Sequence, residues 1–123
     1  MHSGSCLCGA VSYQTDATPQ GASFCHCGQC RAQSGGVWSS AHVPVDMLTI
    51  TGPVKWFAAS DIAKRGFCPD CGSFLFWKAH DEDMISFSLG SLPNPTGIAL
   101  EKHIFTADKG DYYTIADGLP QKP

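Results

Sequence analysis

The sequence of 123 residues has few charged side chains: they make up 15% of the chain, against roughly 25% in an average soluble domain. The 11 acidic residues outnumber the 8 basic ones, so the formal net charge is −3, and the chain lacks the basic stripe that is typical of nucleic-acid binding. No apolar run reaches the roughly 20 residues that a membrane-spanning helix needs. These absences predict a protein that binds neither nucleic acid nor a membrane.

Targeting and linker segments are missing as well. The segment Met1–Ser5 has neither the basic stretch nor the apolar stretch of a secretory signal peptide, which predicts a cytoplasmic protein. No repeat, low-complexity tract or linker divides the chain, and its length is that of one ordinary domain. We therefore expect a single zinc-binding domain over residues 1–123, on the cysteine pattern described below.

Helical periodicity is absent too: no segment carries an apolar stripe at a 3.6-residue period for more than about two turns. Short runs of alternating apolar and polar residues, separated by turn residues, predict β-strands instead. The clearest runs are Leu7–Gln14, Val54–Phe57, Ser73–Trp77, Met84–Leu89 and Tyr112–Ile115. The best helical candidate is 28–34, which the following glycine pair would end. The sequence predicts an all-β fold with only short helical turns.

Cysteine, by contrast, is abundant: the 7 cysteines form three groups with the patterns C-x-C, C-x-C-x-x-C and C-x-x-C. The odd count and the lack of an export signal disfavour a disulfide framework. Closely spaced thiolates suit a metal ion, and so soft a ligand set favours zinc over a hard cation. The three groups are Cys6 and Cys8; Cys25, Cys27 and Cys30; and Cys68 and Cys71.

Seven ligands divide most simply into four and three, because structural zinc sites use four protein ligands and catalytic sites keep one position open. In that division the first and last groups share a structural zinc, and the middle group holds a second, catalytic-type zinc. A rival division joins Cys27 and Cys30 to the last group as a zinc ribbon and leaves three thiols without a role. Spacing alone permits both. Since three ligands bind a metal more weakly than four, partial occupancy of the second zinc is expected.

Polar residues beside the middle group are candidates for a part in chemistry. His26 lies between two presumed ligands, so its side chain should point away from the metal and serve either as a proton shuttle or as a structural histidine. Arg31 carries a guanidinium suited to a substrate carboxylate, with local charge neutralisation as the alternative. The same two interpretations apply to Arg65, which precedes Cys68 by three residues. We treat His26 and Arg31 as candidate catalytic residues.

Five segments of the chain then point to a family: Gly4–Val11, Cys25–Arg31, Arg65–Ser73, His103–Phe105 and Ala116–Pro120. In order and spacing they resemble the glutathione-dependent formaldehyde-activating enzyme (GFA) family. The resemblance implies an all-β fold of several small antiparallel sheets in a β-tent arrangement, clamped by a four-cysteine zinc site. It also implies a carbon–sulfur lyase that interconverts S-hydroxymethylglutathione with glutathione and formaldehyde.

The resemblance carries over to single residues and to partners. It implies two zinc sites per chain, whose ligands are Cys6, Cys8, Cys68 and Cys71 for the structural zinc, and Cys25, Cys27 and Cys30 for the catalytic zinc. The implied partner is a small-molecule thiol or thiol–aldehyde adduct, with glutathione as the first candidate. Two other function classes stay open: a non-enzymatic, zinc-stabilised binding module, and a thiol redox site at the middle group. The sequence does not specify the oligomeric state.

Overall fold

The computed structural model describes all 123 residues and consists of two β-sheets with one α-helix. The smaller sheet is antiparallel, in the order β1-β2-β5, and contains β1 (His2–Ser5), β2 (Ser12–Thr15) and β5 (Leu48–Thr51). The strands of the larger sheet are β3 (Gln20–Cys25), β4 (Trp38–Pro44), β6 (Lys55–Phe57), β7 (Ala63–Phe67), β8 (Phe74–Ala79), β9 (Met84–Ser88) and β10 (Lys102–Ile104). The predicted all-β class is confirmed.

The larger sheet has the order β10-β3-β4-β9-β8-β7-β6. Every pair in it is antiparallel except β10 with β3, which run parallel at one edge. The helical elements are α1 (Gly28–Ser34) and the 3₁₀ turns Val45–Met47, Leu89–Ser91 and Thr106–Asp108. None of these helices has the length and apolarity that crossing a membrane would require.

The strand predicted over 112–115 is wrong: this segment has no regular secondary structure. The outer edge of β10 is occupied instead by residues 120–122, because the His103 N–H donates to the Pro120 oxygen at 2.9 Å and the Lys122 N–H donates to the His103 oxygen at 2.9 Å. No edge of that strand is left for 112–115. This part of the chain passes close to the middle cysteine group instead.

The predicted helix over 28–34 is confirmed, and its ends have local causes. Cys27 is the N-cap residue, and its sulfur accepts a hydrogen bond from the Cys30 N–H at 3.3 Å. Gly35 ends the helix in the left-handed conformation, with φ of 87°, and its N–H donates to the Arg31 oxygen. Glycine suits that conformation because it has no Cβ to clash. The helix therefore begins on one presumed metal ligand and carries another in its first turn.

The two sheets enclose the main apolar core, and a smaller cluster lies apart from it. In the main core the ring of Tyr13 meets the ring of Phe76 edge to face at 5.4 Å. Its hydroxyl donates to the Ser88 oxygen at 3.1 Å, which satisfies the polar end of this buried side chain. The smaller cluster is built on Trp38 and Phe74, whose rings stack at 4.0 Å. Each cluster contains cysteines of one of the two groups described next: Cys6 and Cys68 lie in the main core, and Cys25 and Cys30 lie in the smaller cluster.

Candidate metal centres

The seven thiols gather into two groups, and none of them forms a disulfide. Within each group all the sulfur atoms lie within 4.8 Å of one another. We call them the four-cysteine group, which is Cys6, Cys8, Cys68 and Cys71, and the three-cysteine group, which is Cys25, Cys27 and Cys30. The rival pairing of Cys27 and Cys30 with the last two cysteines is not the arrangement that the fold produces.

The four-cysteine group is assembled from two chain turns of the same design. In each turn the N–H of the first cysteine donates to the carbonyl oxygen five residues later, at 2.9 Å for Cys6 and 3.0 Å for Cys68. A glycine with positive φ follows the second cysteine, Gly9 at 83° and Gly72 at 78°. Because glycine adopts this conformation without strain, both turns can curl their thiols toward one point. The two short C-x-C and C-x-x-C motifs are thereby brought face to face.

Ser73 links the two turns, a role that the sequence analysis missed. Its hydroxyl accepts a hydrogen bond from the Leu7 N–H at 3.1 Å, and its oxygen lies 3.2 Å from the sulfur of Cys71. Hydrogen bonds from the Ser73 side chain and backbone lower the pKa of the Cys71 thiol to about 5. The thiolate form that a metal binds is therefore favoured at this cysteine. A lone serine beside a cysteine motif carries no signal in sequence that would reveal this contact.

The spacing of the sulfur atoms fits zinc. The Cys8 sulfur lies 3.6 Å from that of Cys6 and 3.7 Å from that of Cys68. Tetrahedral zinc with Zn–S bonds of about 2.3 Å separates its ligand sulfurs by about 3.8 Å. The Val11 N–H also donates to the Cys6 sulfur at 3.3 Å, which stabilises negative charge there. Four soft ligands at this spacing could hold a zinc ion as a closed site.

The three-cysteine group comes from six consecutive residues at the junction of β3 and α1. Cys25 ends the strand, Cys27 caps the helix and Cys30 lies in its first turn. Cys25 and Cys30 are buried against the smaller apolar cluster, whereas Cys27 is only half-buried. The chain contributes three ligands here and leaves the side of Cys27 accessible. Such a set could hold a metal ion and leave one coordination position for another molecule.

The buried guanidinium of Arg65 contacts the three-cysteine group. Its Nη1 donates to the Cys30 sulfur at 3.4 Å and to the Gln33 side-chain oxygen at 3.3 Å, and its Nε donates to the Gln29 side-chain oxygen at 3.2 Å. Hydrogen bonding from Cys25, and then from Arg65, lowers the pKa of the Cys30 thiol to about 6. The sequence placed Arg65 beside Cys68, but pairing of β7 with β8 brings its side chain to the other group.

Arg31 lies on the same helix but is engaged differently. The only hydrogen bond of its side chain runs from Nη2 to the Asp108 oxygen at 3.5 Å, on the exposed side of the helix. Its Nε is buried and has no hydrogen-bond partner. A guanidinium has five N–H donors, so most of its donors are free. The Nη donors of Arg31 are thus left for an anion, whereas its Nε is buried and out of reach of one.

His26 is held in a buried chain of hydrogen bonds. Its Nδ1 contacts the Tyr113 hydroxyl, and its Nε2 lies 2.9 Å from Nδ1 of His103. Nε2 of His103 in turn lies 2.7 Å from the Asp117 carboxylate. Burial, followed by the nearby His103, lowers the pKa of His26, which favours the neutral form of the ring. Both nitrogens of His26 are engaged within the protein and away from the thiols.

Sequence reasoning did not connect His103, Tyr113 and Asp117 with the cysteines, because they lie about 80 to 90 residues further along the chain. Only the family resemblance of His103–Phe105 and Ala116–Pro120 hinted at a role for this region. The contacts arise from the parallel pairing of β10 with β3, which places His103 beside Phe24 in register. The proton-shuttle role of His26 stays a prediction, and a proton leaving its ring would pass to one of these partners.

Two comparisons with known proteins each found a match. The family model described as "Glutathione-dependent formaldehyde-activating enzyme" matches residues 1–108, so the segment Ala116–Pro120 lies beyond the match. A crystal structure of a Rhodobacter sphaeroides protein is similar with a TM-score of 0.63, at 20% sequence identity, over 98% of this chain and 99% of that chain. At that identity the likeness shows a shared fold. No curated protein matches the sequence.

Proposed function

We propose, from the premise that this chain belongs to the glutathione-dependent formaldehyde-activating enzyme family, that it is a zinc-dependent carbon–sulfur lyase. Its substrate would be a thiol–aldehyde adduct such as S-hydroxymethylglutathione. The observation that carries the proposal is the three-cysteine group: three convergent thiols from one loop, one of them half-buried, with a second, complete set of four thiols elsewhere. A protein that needed zinc only for its fold would have no use for the incomplete set.

Each cysteine group would have its own part in this function. The four-cysteine group would hold a structural zinc, and the three-cysteine group would hold the catalytic one. Zinc bound at the three-cysteine group would favour the thiolate form of a substrate thiol, since coordination to the metal lowers the pKa of a thiol. The half-buried side of Cys27 is where the substrate sulfur would approach.

The reaction sets the demands on the protein. In the direction of cleavage, the hydroxyl group of the adduct loses its proton and its oxygen forms the C=O bond of formaldehyde. The C–S bond breaks with its electron pair on sulfur, and that thiolate takes up a proton to give glutathione. The site must therefore stabilise the negative charge that forms on sulfur, and it must bind the substrate in one orientation. Both arginines of the chain, Arg31 and Arg65, lie beside the three-cysteine group.

Arg31 would orient the substrate. Glutathione carries two carboxylates, and a guanidinium binds a carboxylate through two parallel hydrogen bonds. Apart from one long contact to the Asp108 oxygen, the Nη donors of Arg31 have no partner, while its Nε is buried. His26 would act from behind the loop: with both ring nitrogens engaged, it fixes the segment between Cys25 and Cys27. Holding the ligands and the substrate in one geometry is the main contribution that this chain's residues can make.

The test is the rate at which formaldehyde and glutathione exchange with their adduct, measured at equilibrium by exchange NMR spectroscopy with zinc-loaded protein. The unsubstituted protein should accelerate the exchange, and Cys27→Ser should return it to the rate without protein while the far-UV circular dichroism stays unchanged. Ser34→Ala is the matched control, since Ser34 lies on the same helix and is exposed, and its hydroxyl bonds only the Gly36 N–H. Full exchange activity in Cys27→Ser with one zinc fewer per chain would contradict the proposal.

Two other outcomes would favour the alternatives. If the unsubstituted protein carries two zinc ions and does not accelerate exchange, the chain is better described as a zinc-stabilised binding module. If mild oxidation releases the second zinc and reduction restores it, a redox site at the three-cysteine group gains support. Both measurements use the same zinc-loaded preparation.

A further inference from the structure

Arg65 is a buried cation without an acidic partner. Its side chain lies on β7 and the residue is only 5% exposed, although arginine is almost never fully buried unless it is paired. The only ion pair in the structure joins His103 to Asp117, so no carboxylate balances the guanidinium. Burying an unpaired charge is strongly unfavourable. The charge that balances Arg65 has to come from another group.

Among the groups that the guanidinium contacts, only the thiol of Cys30 can carry a negative charge. Nη1 of Arg65 donates to the sulfur of Cys30 at 3.4 Å, and an N–H donor on a thiolate is a charge-assisted hydrogen bond. Three thiolates around a divalent cation keep one net negative charge, and a fourth, incoming thiolate would add another. One guanidinium offsets the net charge of the three thiolates with their metal, and so it reduces the repulsion that an incoming thiolate meets.

The four-cysteine group has no such cation. Its sulfurs take hydrogen bonds from the Val11 N–H and contact the Ser73 hydroxyl, and no lysine or arginine side chain bonds to them. A closed site accepts no further ligand, so it has no need to compensate an incoming anion. Four thiolates around a divalent cation would keep two net negative charges, and at this group only hydrogen bonds offset them. The cation is thus found at the group that provides three ligands, and not at the group with more thiolates.

The guanidinium is also held in a fixed orientation. Its Nε and Nη1 bond to the side-chain oxygens of Gln29 and Gln33, which are four residues apart and so lie on one face of α1. The ring of Phe74 lies 5.4 Å from the guanidinium carbon. A lysine ammonium has no planar fork and could not make the same contacts.

We infer that Arg65 is a positioning residue of the three-cysteine group, which balances the charge of its thiolates and so makes the bound metal accept an anionic thiolate in preference to a neutral ligand. The inference rests on the metal-binding part of the proposed function and does not depend on the lyase activity. It also assigns the two arginines different tasks: Arg65 acts on the ligand sulfur, and Arg31 acts on the carboxylate of the substrate.

The test uses cobalt(II) as the probe in full-length protein whose four-cysteine group keeps zinc. Cobalt at the three-cysteine group reports each added ligand through its thiolate charge-transfer and d–d absorption. The affinities for cobalt, for 2-mercaptoethanol and for imidazole are measured in turn. 2-Mercaptoethanol is a thiol without a carboxylate, so its binding does not involve Arg31, and imidazole is a neutral ligand.

In Arg65→Gln we expect cobalt affinity to fall about 10- to 100-fold, the usual cost of removing a hydrogen-bond partner of a metal ligand. The ratio of 2-mercaptoethanol to imidazole affinity should fall as well. Lys64→Gln is the matched control: Lys64 is a cation on the same strand, its Nζ lies 4.4 Å from the ring of Trp56 and bonds to no thiol, and the substitution should leave both quantities unchanged. Unchanged cobalt affinity and ratio in folded Arg65→Gln would overturn the inference.

Arg65→Lys keeps the test decisive if Arg65→Gln does not fold. It retains the charge and loses the fork, so cobalt affinity should fall while the preference for 2-mercaptoethanol over imidazole is kept. Loss of that preference in Arg65→Lys would overturn the charge argument. A protein that shows these effects but does not accelerate exchange of the glutathione adduct would lose the proposed lyase function and keep the role of Arg65.

Discussion

The two cysteine groups use the same side chain but are assembled by the chain in opposite ways. In the four-cysteine group Cys8 meets Cys68, which is 60 residues away, so a bound metal closes a long loop. In the three-cysteine group all the ligands come from one strand end and one helix turn. Closing a long loop restricts the unfolded chain far more than joining near neighbours does. Metal binding at the first group would therefore stabilise the fold far more than metal binding at the second.

The side chains that surround the two groups differ as well: they are apolar around the four-cysteine group, and they include charged and titratable residues around the three-cysteine group. Cys6 and Cys68 are part of the main core between the two sheets, among apolar side chains and without a cation. The three-cysteine group has Arg65 on its sulfur, Arg31 nearby and His26 within its loop. Charged and titratable groups are costly to bury, so their concentration at one group indicates a role that packing does not require.

The largest expected effect is on the thermal stability of the protein when one cysteine of either group is replaced. Cys68→Ser should abolish the cooperative thermal transition or lower Tm by more than about 10 °C, because structural zinc contributes roughly 10 kcal/mol to folding, comparable with the stability of a whole domain. Cys25→Ser, at a buried position of the other group, should lower Tm by only a few degrees. Thermal unfolding followed by circular dichroism with one equivalent of added zinc per site measures both. Equal losses in the two variants would end the distinction between a structural and a functional group.

The next effect is on metal retention. Stepwise addition of a chelator to the zinc-loaded protein should remove the metal in two stages, first from the three-cysteine group and then from the four-cysteine group, since fewer ligands hold a metal less tightly. Native mass spectrometry should show two zinc ions, then one, with the fold retained at the intermediate stage. Release of both ions in a single step, together with unfolding, would show that the groups are coupled.

The sequence could predict those features of the two groups that depend on residues close together in the chain. The spacing of the cysteines predicted two ligand sets, and the span 28–34 predicted α1 together with its glycine end, because these features depend on neighbouring residues. The short strands β7 and β10 carry little alternation, and their places in the sheet depend on partners far along the chain. No pattern within either strand specifies which edge it will join.

The parts of the site that sequence did not reveal are those that follow from these distant pairings. Arg65 lies three residues before Cys68 in the sequence, yet its side chain contacts Cys30 because β7 places it beside α1. His103 reaches His26 only because β10 runs parallel to β3. Residue type suggested that an arginine and a histidine could matter here, whereas their partners required the tertiary structure.

The smallest expected effect concerns Asp117 at the exposed end of the histidine chain. The hydrogen bond from His103 lowers the pKa of the Asp117 carboxyl below its ordinary value. A lowered pKa stabilises the folded protein at pH values above the ordinary carboxyl range, near about 4, and this contribution is lost as pH falls through the folded-state value. Asp117→Asn should therefore be slightly less stable than the unsubstituted protein at pH 7 and equally stable in strong acid.

Urea unfolding at a series of pH values measures this difference, and Asp111→Asn is the matched control, an acidic residue in the same part of the chain that forms no ion pair. Asp117 lies at the far end of a chain that leads only to the three-cysteine group. The substitution should thus make a chelator remove zinc more readily from the three-cysteine group and leave the zinc of the four-cysteine group unaffected. If the four-cysteine group lost its zinc more readily instead, the histidine chain would serve the whole fold, and the separation of the two groups would have to be given up.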